Sequence, residues 1–240
     1  MAANRAGTSA APQADVVTEW VVPLVVEVIG VLALCYIGIG AIMATGGNDL
    51  LAIAVAHGLA IGLLVAAGGH ISGGVYNPAI TLGLFIAGKL RWDKAIGYVV
   101  AQLVGGVIGA LLIKATFPTA QVDATNLGVP AVGATASAGR AVLAEIVTTF
   151  FLMYVIFGSA VDPRGPRAIA PLAIGLTISM DILAAGPISG AAMNPARWFG
   201  PAIVQASFEN WWVYWVGPGI GAAIAAVLYA YIYLSGRDQA

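Results

Sequence analysis

Residues Ile71–Ala79 read ISGGVYNPA, and residues Ile188–Ala196 read ISGAAMNPA. Each is a loop of small residues running into Asn-Pro-Ala, with Ile-Ser-Gly at the same distance ahead. Proline makes up only about 5% of average sequence, so two such triplets with matching prefixes are a repeat rather than a coincidence. Asn is a favoured helix N-cap, because its side-chain oxygen accepts from an otherwise orphaned backbone N–H. Pro at the first helical position loses nothing by lacking its own N–H. Each stretch is therefore predicted to be a loop that becomes a short helix, starting at Pro78 in one case and Pro195 in the other.

The rest of the chain places these loops in lipid. Of 240 residues, 60% are hydrophobic and 9% charged, whereas charged residues approach a quarter of a soluble domain. A net charge of −1 and the lack of any basic stripe argue against a nucleic-acid partner. The 31 glycines suit helices packed backbone to backbone, since lipid gives apolar side chains no reason to associate. Cys35, the single cysteine, excludes a disulfide framework and reads as a small buried hydrophobe. The first twenty residues lack the apolar core of a secretory signal and are expected to form a mobile tail, residues 1–20.

Six stretches can cross a bilayer as helices: Val21–Met43, Leu50–Ala67, Ala95–Ala115, Ala141–Val161, Ala168–Ala185 and Trp212–Leu234. Two more apolar pieces, Pro78–Ile86 and Pro195–Val204, are too short, and they are the ones that open with Asn-Pro. Short segments at matching places in two halves point to half-helices that enter from opposite faces and meet near the midplane. The expected architecture is all-α: six transmembrane helices and two re-entrant half-helices in an inverted repeat. Its parts are a first repeat at residues 21–115, a loop at 116–138, a second repeat at 139–234 and a tail at 235–240. Glu27 lies fifty residues before Asn77 and Glu145 forty-nine before Asn194, so the halves align beyond the motif. With both termini on one side, Arg5, Lys89, Arg91, Lys94, Arg164, Arg167 and Arg237 share that side, which the positive-inside rule makes cytoplasmic. The 116–138 connection is then extracellular and expected to fold over the mouth. The expected host is the cell membrane.

Converging half-helices would bring two positive dipole ends and the side-chain amides of Asn77 and Asn194 to one spot, offering donors to a passing oxygen and repelling cations. Irregular backbone at membrane depth is tolerated only where it is buried or lines water. Gly73, Gly74, Val75 and Tyr76, with Gly190, Ala191, Ala192 and Met193, would present carbonyls as a ladder of acceptors. Glu27 and Glu145 are carboxylates inside apolar spans. A proton relay would use them as a coupled transporter does; their symmetric placement suits instead a scaffold that accepts from loop N–H groups. Arg197 follows the second motif where Ile80 follows the first, and an arginine at that depth must line water. His70 gets no specific role.

The doubled motif Asn77-Pro78-Ala79 and Asn194-Pro195-Ala196 resembles the signature of the aquaporin, or major intrinsic protein, family, and the likeness runs from Glu27 to Tyr233. The resemblance implies a passive channel for water and small neutral solutes, a homotetramer with one pore per subunit, and no cofactor or metal. It implies a carbonyl-lined pore and a selectivity filter made by His57, Ile182, Ala191 and Arg197, a set similar to that of the plant vacuolar-membrane branch and its ammonia-conducting relatives. This chain departs from that branch in having no histidine between Thr116 and Ala138. Val75 stands where a histidine is common, Trp198 replaces a small residue, and Asp181 is an unexpected acid at filter depth, expected to reach Arg197 or His57 or else a neighbouring subunit. Three other readings compete. A glycerol facilitator typically carries Asp after the filter arginine and Pro in the sixth span, where this chain has Trp198 and Tyr214-Trp215. A coupled secondary transporter needs titratable groups at the midplane, where this chain offers two neutral amides. An enzyme would need a nucleophile–base pair or metal ligands, and the two histidines and one cysteine lie scattered.

Overall fold

The computed structural model describes residues 15–234; residues 1–14 and 235–240, expected as tails, lie outside the described residues. Six helices are long and apolar enough to cross a membrane: Val17–Thr45, Leu50–Ser72, Trp92–Thr116, Ala138–Val161, Arg167–Ser189 and Val213–Leu234. The first starts with a π-helical turn at Val17, so residues 17–20, expected in the tail, are helical. The regular helices are α1 (Val22–Thr45), α2 (Leu50–Ser72), α3 (Pro78–Ile86), α4 (Trp92–Thr116), α5 (Thr119–Ala124), α6 (Ala138–Ile156), α7 (Ala170–Ser189), α8 (Pro195–Gln205) and α9 (Val213–Val227).

Each expected span falls on one of these, and α2 and α7 run a turn longer than expected. Gly68 and Gly69 do not end α2. Gly68 is there for a close approach, because a Cβ on it would lie 2.4 Å from the Tyr76 hydroxyl oxygen. The helices end instead at Gly73 and Gly190, which take left-handed φ of 92° and 81° as C-caps. The half-helices α3 and α8 start at the expected prolines. The 116–138 connection is not bare loop: it holds α5 and a tight turn at Asn126–Gly128.

Packing follows the repeat. α1 lies on α4 as α6 lies on α9, and α2 against α7 forms the seam between halves. The half-helices cross over: α3 packs chiefly on α9 of the second repeat and α8 on α4 of the first. Glycines set these distances, as expected where backbone contact replaces the hydrophobic effect. A Cβ on Gly200 would stand 2.3 Å from the backbone of Gly106, and one on Gly175 would stand 2.5 Å from the Gly58 carbonyl oxygen. The outer surface is apolar, with Leu51, Leu59 and Leu63 of α2 and Leu172, Leu176 and Met180 of α7 all exposed. One end of the bundle carries the connections at residues 46–49, 117–137 and 206–212. The other, here the basic end, carries residues 87–91 and 162–166.

Candidate functional site

The centre of the bundle is where α3 and α8 begin. Asn77 caps α3, its Oδ1 accepting from the Ala79 N–H at 2.9 Å. Asn194 caps α8 through the N–H groups of Ala196 at 3.0 Å and Arg197 at 3.2 Å. Their amide nitrogens reach across the repeat: Asn77 Nδ2 donates to the Met193 carbonyl and Asn194 Nδ2 to the Tyr76 carbonyl, each at 2.8 Å. This reciprocal pair ties the two loops together. A primary amide has two N–H bonds, so one remains on each Asn for the cavity that both line.

The loops ahead of the caps are bent in a way that ordinary sequence resists. Tyr76, Ala191 and Met193 hold left-handed φ of 48°, 44° and 52°, conformations that cost of order 1–3 kcal/mol each for non-glycine residues. Two buried carboxylates hold them there. Glu27 accepts from Ser72 Oγ at 2.6 Å, the Val75 N–H at 3.1 Å, the Tyr76 N–H at 2.7 Å and Gln102 Nε2 at 2.7 Å. Glu145 accepts from Ser189 Oγ at 2.7 Å and from the N–H groups of Ala192 at 2.8 Å and Met193 at 2.7 Å. With the N–H groups of Val75, Tyr76, Ala192 and Met193 turned onto the carboxylates, the loop residues Gly73, Gly74, Val75 and Tyr76, and Gly190, Ala191, Ala192 and Met193, line the cavity.

That cavity has a volume of about 770 Å³ and runs from Ile42 and Arg197 at one end past both Asn residues to Lys89 and Arg167 at the basic end. His57, Ile182, Ala191 and Arg197 all line it. His57 Nδ1 lies 2.8 Å from the Ile53 carbonyl, a contact that requires the proton on Nδ1. Nε2 is therefore an acceptor, and it takes the Arg197 Nε–H at 3.2 Å. Arg197 Nη1 donates to the Gly128 carbonyl at 3.1 Å, in a turn where Asn126, Leu127 and Gly128 all have left-handed φ. Arg197 is buried and makes no ion pair among the described residues. Its charge is held in place by neutral groups and is not cancelled.

Family membership rests on independent comparison as well as on this geometry. The family model described as Major intrinsic protein matches residues 13–229. The chain belongs to the major intrinsic protein family. It is 43% identical over 226 residues to a protein of Oryza sativa subsp. japonica named probable aquaporin TIP1-2, covering 90% of this chain and 88% of that one. It is also 43% identical over 196 residues to aquaporin TIP1-1 of Arabidopsis thaliana, covering 80% and 75%. The X-ray structure of the aquaglyceroporin from Plasmodium falciparum superposes with a TM-score of 0.78 over 92% of this chain and 99% of that one. At 22% identity that likeness speaks for the fold alone.

Asp181 does not hydrogen-bond Arg197 or His57: it is buried, outside the cavity lining, and its Oδ2 has no partner among the described residues. On α7 it sits one step round from Ile182, which takes the cavity face. Trp198 is accommodated by stacking on Tyr214, with ring centroids 5.6 Å apart and planes 9° from parallel. Where a loop histidine is missing, the backbone of Gly128 meets Arg197. His70 is exposed at the basic end and has no hydrogen bond to the loop.

Sequence reading missed Ser72, Ser189, Gln102, Tyr98 and Tyr214. Ser72 and Ser189 also accept from the N–H groups of Gly74 and Ala191, each at 3.1 Å, while Tyr98 and Tyr214 donate to the two serine carbonyls at 2.8 and 3.0 Å. The serines were visible as the constant Ser of Ile-Ser-Gly. Among the described residues no group of three His, Cys, Asp or Glu side chains is placed to hold a metal.

Proposed function

We propose that the chain forms a passive membrane channel conducting water, with ammonia and other small neutral solutes as further cargo, and excluding ions and protons. The observation that carries this reading is the cross-linked asparagine pair. Each amide spends one N–H on the opposite loop and keeps one for the cavity, so a water passing between them meets donors on both sides and must turn its oxygen toward them. Two helix N-termini at the same point disfavour cations. At the end opposite the basic one Arg197, held by His57 and Gly128, adds an uncompensated positive charge.

The aquaporin relatives support the water reading, and their family is one of channels rather than enzymes. They do not favour a glycerol facilitator. The midplane amides carry no titratable group for a coupled transporter. Ammonia is supported by the filter: His57 stands where orthodox water channels have Phe, and Ile182 dries the opposite wall. We read Glu27 and Glu145 as loop scaffolds, the assembly as a homotetramer with a pore in each subunit, and the basic end as cytoplasmic, the last from the clustering of Lys89, Arg91, Lys94, Arg164 and Arg167. The expected cell-membrane host draws no support from the plant TIP relatives, which count against it. Stopped-flow shrinkage of proteoliposomes in sucrose, glycerol and ammonium gradients tests the cargo. Water and ammonia should pass well above empty vesicles and glycerol should not; a glycerol rate matching that of water would overturn the assignment.

A further inference from the structure

Three basic side chains line the cavity at the end opposite Arg197: His70 near the end of α2, Lys89 after α3 and Arg167 just ahead of α7. They differ from the other cations of that end. Arg91 pairs with Asp93 at 2.6 Å and Glu19 at 3.7 Å. Arg164 is clamped by Asp162. Lys94 donates to the Glu19 carbonyl and lies 4.2 Å from the centre of the Trp20 ring. His70, Lys89 and Arg167 have no ion pair among the described residues, and no Asp or Glu lines the cavity. The two acid-paired cations, and Lys94 with its carbonyl and ring partners, thus lie outside the cavity lining, while the three whose side chains have neither ion pair nor hydrogen bond among the described residues open onto it.

We infer that this mouth binds a phosphate group, from free phosphate or from the phosphomonoester headgroup of a lipid, and that occupancy slows permeation. Arg167 supplies a planar fork of donors matched to phosphate oxygens, Lys89 a compact charge, and His70 a ring nitrogen that serves as a third donor. A concave site with apolar walls, here Leu90 and Val161, concentrates the field of such groups on an incoming anion. The anion stops at the mouth, because Ile174 and Ile178 line the wall beyond it and offer nothing to replace its hydration. The positive-inside rule accounts for cations on this face. It does not account for the sorting that leaves the side chains without an ion pair or hydrogen bond around the conduit.

The flux half of this inference rests on the channel reading, so binding is measured separately. In detergent, inorganic phosphate titrated at constant ionic strength should broaden its ³¹P resonance with wild-type protein and not with the Lys89→Gln/Arg167→Gln double variant, whereas Lys89→Arg/Arg167→Lys should retain binding. A parallel arm adds phosphatidic acid or phosphatidylcholine to the micelles; preference for phosphatidic acid assigns the headgroup as a source. In proteoliposomes, phosphate near its dissociation constant occupies about half the mouths and should slow wild-type shrinkage toward half, with no slowing in the double Gln variant. Failure of both free phosphate and phosphatidic acid to bind wild-type protein, or equal binding by the double Gln variant, overturns the inference. Binding without any water conduction would instead count against the channel reading and leave the phosphate site standing.

Discussion

Ile80 follows the first Asn-Pro-Ala and Arg197 the second, and around that difference the two re-entrant loops are built almost alike. Each hangs from a buried glutamate through a serine and two backbone N–H groups, each is buttressed by a tyrosine on the last span of its own repeat, and each lends a carbonyl to the other's asparagine. The glutamates differ in one bond. Four residues after Tyr98 stands Gln102, which gives Glu27 a further donor; four residues after Tyr214 stands Pro218, which has no donor to give. Scaffolding is thus duplicated, while the buried charge of Arg197 exists once. Neither glutamate's partners include Ile80 or Arg197, so the residue after the motif differs between the halves without disturbing the frame.

The strongest break in this comparison is removal of a scaffold. Glu27→Ala and Glu145→Ala each leave several buried donors without an acceptor, at roughly 1–3 kcal/mol apiece. Both should lower water permeability per incorporated protein by about tenfold or more, and tenfold needs only about 1.4 kcal/mol at the barrier. Equal harm from either side is the expected result of stopped-flow assays, and a normal rate in either variant would remove that glutamate from the scaffold. The next effect in size falls on one side only. Arg197→Val should raise urea and glycerol flux several-fold, while Ile80→Val, at the matching place, leaves the solute panel unchanged.

Much of this was legible in the chain. The doubled motif named the loops, apolar runs named the spans, and the spacing of Glu27 and Glu145 named the anchors, because each of these is carried by residue type and sequence distance. Gln102, Tyr98 and Tyr214 were not legible: whether a polar side chain on a span meets a loop depends on how the helices are turned against one another. The same cause left the direction of Asp181 open in the sequence: its neighbour Ile182 faces the cavity while Asp181 does not. Nothing in the structure explains why an acid stands there. Gly128 was hidden for another reason, since its contribution is a backbone carbonyl aimed by three consecutive left-handed residues.

Smaller effects sharpen the comparison. His57→Phe removes the acceptor of the Arg197 Nε–H along with the polar wall of the filter; ammonia uptake should fall while water permeability survives, as read by paired flux assays. Gln102→Leu gives Glu27 the same three partners that serve Glu145. It should cost about 1 kcal/mol of stability and leave permeability near normal, seen as a lower melting temperature in detergent with an unchanged shrinkage rate. The least change is expected from Asp162→Asn outside the pore. The side-chain hydrogen bond from Arg164 holds the Asp162 carboxyl below its ordinary value. A group so shifted stabilises the folded protein fully above the unfolded value of about 3.9 and loses that contribution as pH falls toward the folded value. The wild type should therefore melt slightly above Asp162→Asn at neutral pH, with the gap closing only in acid below about pH 4.

The central claim is that two cross-linked loops pass water while refusing charge. It is tested most directly by measuring osmotic water permeability and ionic current on one preparation of purified protein, in vesicles and in a planar bilayer. The account predicts water permeability well above that of empty vesicles with no current above background under proton, sodium or chloride gradients. Water flux no greater than in empty vesicles, or a steady ionic current accompanying it, would contradict the account.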